Sequence, residues 1–141
     1  MDFFSMMNVS ASGLTAQRAR METIASNLAN AQTTRTPEGG PYRRRDVVFT
    51  TVDPKVSPFA NQLDAAMKGV AVAGVVEDNV SEFRLRYEPG HPDADKNGYV
   101  KYPNVEPMNE MVNLVSATRS YEANLTVIEA TKSLMLGTLE I

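Results

Sequence analysis

The chain has 141 residues, which is enough for one modest domain and too few for two. Its formal net charge of -3 argues against a nucleic-acid-binding protein, which would carry a basic surface. The absence of Cys excludes disulfides, thiolate catalysis and Cys-based metal sites. The first residues lack the features of a secretory signal, and no window approaches the ~18 apolar residues of a membrane span. We therefore expect no membrane insertion and, if the chain leaves the cytoplasm, a route that does not cleave a signal peptide.

Residues 3–30 are predicted to form an N-terminal helix, for which Asp2 is a suitable N-cap. Its apolar stripe consists of Met7, Leu14, Met21 and Leu28 at seven-residue spacing, widened by Ala11, Ile24 and Ala25. The other face is predicted to meet solvent or a hydrated interface, and it carries Gln17, Arg20, Glu22, Thr23 and Asn27. Gly13 costs about 1 kcal/mol relative to Ala inside a helix. It is either a simple defect or a place where another backbone comes close.

A Gly- and Pro-rich loop at residues 30–42 precedes a region of predicted strands at residues 46–50, 70–76, 83–87 and 99–102. The Val-rich strand at residues 70–76 is apolar on both faces, so we expect it to be buried. The strand at residues 83–87 alternates and is expected to be half exposed. A short helix is predicted at residues 63–68. The middle of the chain is thus predicted to be one small antiparallel sheet of three or four strands.

The last third of the chain is predicted to be one long helix that begins at Pro107, a residue well suited to the first helical position. No Gly or Pro interrupts residues 108–136, and the helix would span roughly 50 Å. A heptad row runs along it, with polar breaks at Thr118 and Lys132. This row consists of Met111, Leu114, Thr118, Tyr121, Leu125, Ile128, Lys132, Met135 and Leu139. A helix this long needs a partner, and the N-terminal helix is the obvious candidate.

The predicted fold class is α+β, with long N- and C-terminal helices forming a coiled-coil-like hairpin and a small antiparallel β module between them. We divide the chain into an N-terminal helix of an inner helical domain (residues 1–32), an extended loop with a small β domain (33–106) and a C-terminal helix of the inner domain (107–141). Burial of one apolar row offsets only part of the backbone entropy lost by two long helices. The hairpin is therefore expected to be marginal alone and stable in a bundle of many copies.

The acidic loop at residues 91–98 has two interpretations. Asp93 to Gly98 reads D-A-D-K-N-G, which matches the opening of an EF-hand calcium loop. The match fails at the twelfth position, where Asn104 stands in place of the required Glu, and the flanking segments are predicted strands. A tight turn with positive φ at Asn97-Gly98 is the other interpretation. His91, the only His, could add a ligand to a metal site here or be a turn residue.

The basic run Arg43-Arg44-Arg45 is interpreted as a solvated face or as a pairing surface for an acidic neighbour. No nucleotide-binding, zinc-protease or serine-hydrolase motif is present, and the carboxylates do not form a convincing acid–base pair. We therefore predict that the chain is not an enzyme. The alternative that we retain is a small calcium- or metal-binding module centred on the acidic loop.

Both ends of the chain resemble one family. The segments ASGLTAQR (residues 11–18) and IASNLANAQTT (24–34) resemble the N-terminal signature of bacterial flagellar rod and hook proteins, the axial proteins of the flagellum. Ser26 and Gln32 stand where that pattern has Asn, and Leu28 where it has Ile. The segments EMVNLV (110–115) and RSYEAN (119–124) are similar to the C-terminal helix of the family.

Two central segments narrow the resemblance to the proximal rod members of this family. They are TRTPEGGPYRR (residues 34–44) and PGHPDADKNGYV (89–100). The resemblance implies a structural subunit of the basal-body rod that spans the periplasm, exported uncleaved through the type III apparatus and without cofactor, metal or small-molecule substrate. Its terminal helices would form the tube around the export channel and would be disordered before assembly.

The resemblance also implies partners and contact residues. The expected partners are copies of the chain itself, other proximal and distal rod proteins, and the base of the rod at the membrane ring and export gate. Seven residues are expected to pack between subunits, namely Leu14, Met21, Leu28, Leu114, Tyr121, Leu125 and Ile128. Asn27, Asn30 and Asn124 are expected to make interhelix or cap hydrogen bonds. Thr118 and Lys132 become candidate register markers or channel-facing positions.

Overall fold

The computed structural model describes residues 3–52 and 68–139, which form two long helices with four strands between them. The elements are α1 (Phe3–Ala29), β1 (Arg45–Val52), β2 (Gly69–Glu77), β3 (Arg84–Tyr87), β4 (Tyr99–Tyr102) and α2 (Pro107–Leu139). The predicted α+β architecture with a hairpin of terminal helices is confirmed. The predicted cap Asp2, residues 63–67 of the predicted short helix and the side chain of Leu139 lie outside the described residues.

The described strands form two separate antiparallel pairs, so the prediction of one sheet is wrong. Strand β1 pairs with β2 from Arg45 opposite Glu77 to Val52 opposite Gly69, and this β1–β2 ribbon lies along α1. Strands β3 and β4 form a second hairpin. Alternating hydrophobicity identifies strands but does not say which strands share a sheet, and this explains the error.

Strand β2 is also not buried as its Val-rich sequence predicts. Val72, Val75 and Val76 are exposed, because α1 contacts the ribbon and no second layer covers these valines among the described residues. An apolar run predicts burial only where the fold supplies a cover for both faces.

Helix α1 packs against both the β1–β2 ribbon and α2. The Ser12 hydroxyl oxygen accepts a hydrogen bond of 3.1 Å from the Val70 backbone N–H. Since α1 is covered from two directions, its buried arc differs from the predicted apolar stripe. Asn27, predicted on the solvent-facing side, is fully buried, whereas Ala11 and Ala25, predicted in the stripe, are exposed.

At Gly13, α2 comes close to α1. A Cβ atom there would lie 3.0 Å from Nδ2 of Asn124. The close approach that we considered is therefore present, but a side chain makes it instead of a backbone. Absence of a side chain at Gly13 lets the two helices pack tightly at this level.

Helix α2 uses only part of the predicted row for this contact. Leu114, Tyr121, Ile128 and Met135 belong to both rows, and the Thr118 hydroxyl lies 3.6 Å from Met21 Sδ. The seam against α1 is formed by Glu110, Leu114, Ala117, Tyr121, Asn124, Ile128, Thr131 and Met135, all buried or half-buried. Met111 and Leu125 of the predicted row are 49% and 41% exposed, and Lys132 is also exposed. The positions that differ are those between the shared ones, where the close approach of the helices favours the small or polar residues Ala117, Asn124 and Thr131.

Candidate functional site

A buried polar cluster joins α1, α2 and the start of β1. At its centre is Asn27, whose relative exposure is 0%. Its amide nitrogen donates to the Arg45 carbonyl oxygen at 2.7 Å and to Glu110 Oε2 at 3.0 Å. Its amide oxygen accepts from the Arg45 N–H at 2.9 Å and from the Tyr42 hydroxyl at 3.0 Å. We call Asn27, Tyr42, Arg44, Arg45 and Glu110 the polar clamp.

Glu110 brings a negative charge into this cluster with only 1% of its surface exposed. Arg44 neutralises it, since the guanidinium Nε donates to Glu110 Oε1 at 2.7 Å. Partial burial works against the charge of Arg44, but the hydrogen bond and charge of Glu110, helped by Asp46, raise the pKa of Arg44 above its ordinary value. Arg44 therefore stays charged, and both carboxylate oxygens of Glu110 have a donor.

The three arginines of the basic run all pair within the chain. Arg44 contacts Glu110, and Arg45 donates two hydrogen bonds to Glu77 Oε1, at 3.1 and 2.8 Å. The guanidinium of Arg43 lies 4.4 Å from the centre of the Phe83 ring. The acidic neighbour that we predicted is thus a set of residues in the same chain, and the run fastens β1 to α2 and β2.

A small apolar core lies beside the polar clamp and consists of Ala31, Tyr42 and Val105. Tyr42 belongs to both groups, because its ring is buried in this core while its hydroxyl donates to Asn27. The helix end, the loop after it and the segment before α2 therefore meet at one point.

Both aspartates of the acidic loop accept hydrogen bonds from within the chain. Asp93 Oδ2 accepts from the Thr34 hydroxyl at 2.8 Å, and Asp95 Oδ1 accepts from the N–H groups of Asn97 and Tyr99. The turn interpretation is confirmed at Gly98, which has a positive φ of 81°, but not at Asn97, whose φ is not positive. No group of three or more acidic or His side chains among residues 3–52 and 68–139 could hold a metal ion. Nothing in this part of the chain supports the metal-binding alternative.

The predicted packing residues fall into two groups. Leu125 is exposed on α2. The others lie half-buried, and they are Leu14, Met21, Leu28, Leu114, Tyr121 and Ile128. Their role between subunits stays a prediction.

The predicted hydrogen-bonding roles hold for two of the three asparagines. Asn27 bonds across the helices, and Asn30 caps the end of α1 by donating to the Ser26 carbonyl oxygen at 2.9 Å. Asn124 instead donates to Ser120 of its own helix at 3.0 Å. Sequence reasoning missed Glu110, although its spacing of four and seven residues from Leu114 and Ala117 places it on the buried seam.

An apolar face of α2 points away from α1 at the beginning of the helix. Met108, Met111, Val112 and Val115 are all exposed there, and they form a continuous strip that ends at Arg119. In a folded monomer such a strip usually marks a contact surface.

No helix in the described part of the chain is long and apolar enough to cross a membrane. The family described as flagella basal body rod protein matches residues 7–35, and the family described as flagellar basal body rod FlgEFG protein C-terminal matches residues 96–140.

Full-length relatives are named flagellar basal-body rod protein FlgC. The chain is 47% identical to that of Bacillus subtilis and 46% identical to those of Borreliella burgdorferi and Salmonella typhimurium. Each comparison covers 100% of this chain and at least 98% of the relative. The chain therefore belongs to the FlgC family of flagellar basal-body rod proteins.

Proposed function

We propose that this chain is a structural subunit of the proximal rod of the flagellar basal body and that it assembles through its terminal helices. The observation that carries this beyond family membership is the exposed apolar strip of α2, Met108 to Val115. These side chains are half to two-thirds exposed, so covering each would contribute about 1–2 kcal/mol. One chain leaves the strip open, so further subunits are needed to cover it.

The same arrangement supports a division of labour within the chain. Residues 1–32 and 107–141 would form the inner helical domain that surrounds the export channel, and residues 33–106 would form a loop and β domain attached to it. The polar clamp supports torque transmission, because it fixes both helices to the β1–β2 ribbon. The fixing contacts are the buried hydrogen bonds of Asn27 and the hydrogen-bonded ion pair of Arg44 with Glu110. Function would therefore depend on packing and not on catalysis.

The proposal includes location and partners. The rod would span the periplasm, and the chain would reach it through the flagellar export apparatus without signal cleavage. Its partners would be copies of itself, other proximal and distal rod proteins, and the membrane ring and export gate at the base. Among the seven predicted packing residues, Leu125 is best placed for a neighbour, since it is already exposed in the single chain.

Leu125→Asp tests this function. The residue is 41% exposed, so we expect the variant to fold and to be produced normally. A buried carboxylate at a subunit contact is costly, so the variant should be absent from isolated basal bodies and the cells should not swim. Immunoblots of whole cells and of basal bodies, together with swimming assays, measure both effects.

Leu125→Met is the matched control, because it keeps an apolar side chain of similar size and should assemble normally. Intact basal bodies that contain the Leu125→Asp chain at normal levels would contradict the proposed role of this helix face.

A further inference from the structure

We propose that the outer face of α2 binds the outer face of α1 in a second copy of this chain, in an antiparallel arrangement that places Glu22 beside Arg119 and Arg18 beside Glu122. This contact rests on the proposed function. It specifies which helix faces of the two copies meet, in which register they meet, and which charged residues select that register.

The outer face of α1 is a strip of small residues interrupted by one pair of charges. Ala11, Thr15, Ala25 and Ala29 are exposed along it. Between them lie Arg18 and Glu22, which pair with each other at 3.0 Å while their side chains are 74% and 67% exposed. Such an exposed pair contributes little to the stability of one chain, so it can exchange partners at little cost.

The outer face of α2 has the opposite character. Met111 and Val115 project large apolar side chains and are 49% and 53% exposed. Arg119 and Glu122 follow them on the same side of the helix and are exposed. Neither forms an ion pair with any residue in the described part of the chain. The outer face of α2 thus presents large side chains and unpaired charges, whereas the outer face of α1 presents small side chains and an ion pair that can exchange partners.

The two strips match only when the helices run in opposite directions. The residues of each strip follow one another at intervals of three or four, both toward lower residue numbers on α1 and toward higher residue numbers on α2. This is the spacing of residues on one helical face. The facing pairs are then Ala29 with Met111, Ala25 with Val115, Glu22 with Arg119 and Arg18 with Glu122. Large side chains meet small ones at the first two positions, and opposite charges meet at the last two.

The charges also disfavour the parallel register in which both charged pairs would meet. In the antiparallel register the four charged groups alternate in sign, so each carboxylate lies between two guanidinium groups. In a parallel register Arg18 would face Arg119 and Glu22 would face Glu122, which is repulsive. Exposed charges of this kind fix orientation and register more than they add affinity.

The arrangement requires only a small axial shift between copies. Within one chain the Thr118 hydroxyl lies 3.6 Å from Met21 Sδ, and Asn124 lies against Gly13, so Arg119 is level with residues 18–20 of its own α1. Bringing Arg119 level with Glu22 of the second copy shifts that copy by about 3–6 Å at 1.5 Å per residue. The two faces belong to different helices, so each copy keeps one free face and the contact can repeat head to tail.

Disulfide crosslinking in assembled basal bodies tests the register, since the chain has no Cys of its own. The test variant carries Ala25→Cys together with Val115→Cys. The control carries Thr15→Cys together with Val115→Cys, which moves the first thiol by ten residues, about 15 Å along the same face and beyond disulfide reach. Basal bodies are isolated, oxidised and separated on non-reducing gels.

We expect a ladder of multiples of the chain mass from the test variant and at most a tenth of that signal from the control. Equal crosslinking in both variants, or none in either while the chain is present in the basal bodies, overturns the register. Dimers without higher multiples show a closed pair and overturn the head-to-tail contact. The immunoblot for the chain in basal bodies reports on the proposed function independently, so the two can fail separately.

Charge reversal provides a second test should the double-Cys chain not assemble. Glu22→Arg and Arg119→Glu should each lower incorporation into basal bodies at least tenfold. The two together should raise it at least threefold above either single variant, because both facing pairs are again opposite in charge, although neighbouring charges within each helix are then alike. If the combined variant is incorporated no better than the worse single variant, the pairing of these two residues is wrong.

Discussion

Asn27 uses all four hydrogen-bonding positions of its amide, and its partners lie on α2, at the start of β1 and in the loop that contains Tyr42. Only an amide supplies two donors and two acceptor sites at one point. Its neighbour Glu110 is paired on both carboxylate oxygens, so the cluster contains a buried charge without an unsatisfied group. Such a cluster specifies one arrangement of the elements, because any other arrangement leaves buried polar atoms unpaired.

Asn27→Asp should therefore destabilise the chain by about 3–5 kcal/mol, because a second carboxylate would face Glu110 and the Arg45 carbonyl oxygen. Urea unfolding followed by circular dichroism measures the change, and Asn8→Asp at an exposed position of α1 is the control. The deficit should shrink as the pH falls, since protonation of the new carboxyl group removes the repulsion. Equal stability of the two variants would show that the amide donors of Asn27 are dispensable.

Asp78 offers a prediction about pH. Hydrogen bonds from the Ser81 hydroxyl, and from the N–H groups of Ser81 and Val80, lower the pKa of Asp78 below its ordinary value of 3.8. A lowered pKa in the folded chain means that these bonds stabilise it above pH 3.8 and are lost as the pH falls through the folded value. Ser81→Ala should raise the pKa of Asp78, which a carboxyl-carbon NMR titration measures. An unchanged titration would assign the shift to the backbone donors alone.

At the scale of elements, the approach of α2 to α1 depends on small and polar residues. Ala117 is fully buried and Thr131 nearly so, and Asn124 occupies the space left by Gly13. Several large apolar residues of α2 are consequently left exposed on its sides and outer face, among them Met111, Val115 and Leu125. This explains how one helix can pack within its own chain and still offer an apolar surface to a neighbour.

Gly13→Leu should destabilise the hairpin by about 1–3 kcal/mol, because the new side chain would overlap Asn124 and force the helices apart. The same substitution in an Asn124→Ala background should cost clearly less, since the space opposite is then free. Thermal or urea unfolding of the four chains of this cycle measures the coupling. Additive effects would show that Gly13 and Asn124 do not act on each other.

At the scale of the whole molecule, the contacts are concentrated at one end of the hairpin. The polar clamp and the small core of Ala31, Tyr42 and Val105 lie where α1 ends and α2 begins. Further along, α2 leaves most of its large apolar residues exposed. A single chain is therefore expected to be held at the clamp and to open readily at the far ends of both helices.

Hydrogen exchange of the purified chain tests this gradient. Amides near residues 24–29 and 110–117 should exchange most slowly, those near residues 4–14 and 125–138 should exchange fast, and assembly should protect all of them. Strong protection of both helices along their full length in the unassembled chain would contradict the expectation that the hairpin needs neighbours.

Local patterns in the sequence predicted both long helices, four strand segments, the turn at Gly98 and the family resemblance. Each depends on residues that are close together in the chain, such as the uninterrupted run after Pro107 or the D-A-D-K-N-G turn. The roles of Asn27 and Glu110 could not be predicted in this way, because they meet across 83 positions of the chain.

The sequence by itself thus determined where the helices and strands are and to which family the chain belongs. Only the tertiary structure decided which face of α2 meets α1, that the strands form two pairs, and that the basic run is paired internally. The physical reason is that periodicity records the character of each side chain, whereas burial depends on how closely a distant element approaches. At Gly13 and Asn124 that approach is close enough for small and polar residues to share the seam with Leu114, Tyr121 and Ile128, while Met111 and Leu125 remain exposed.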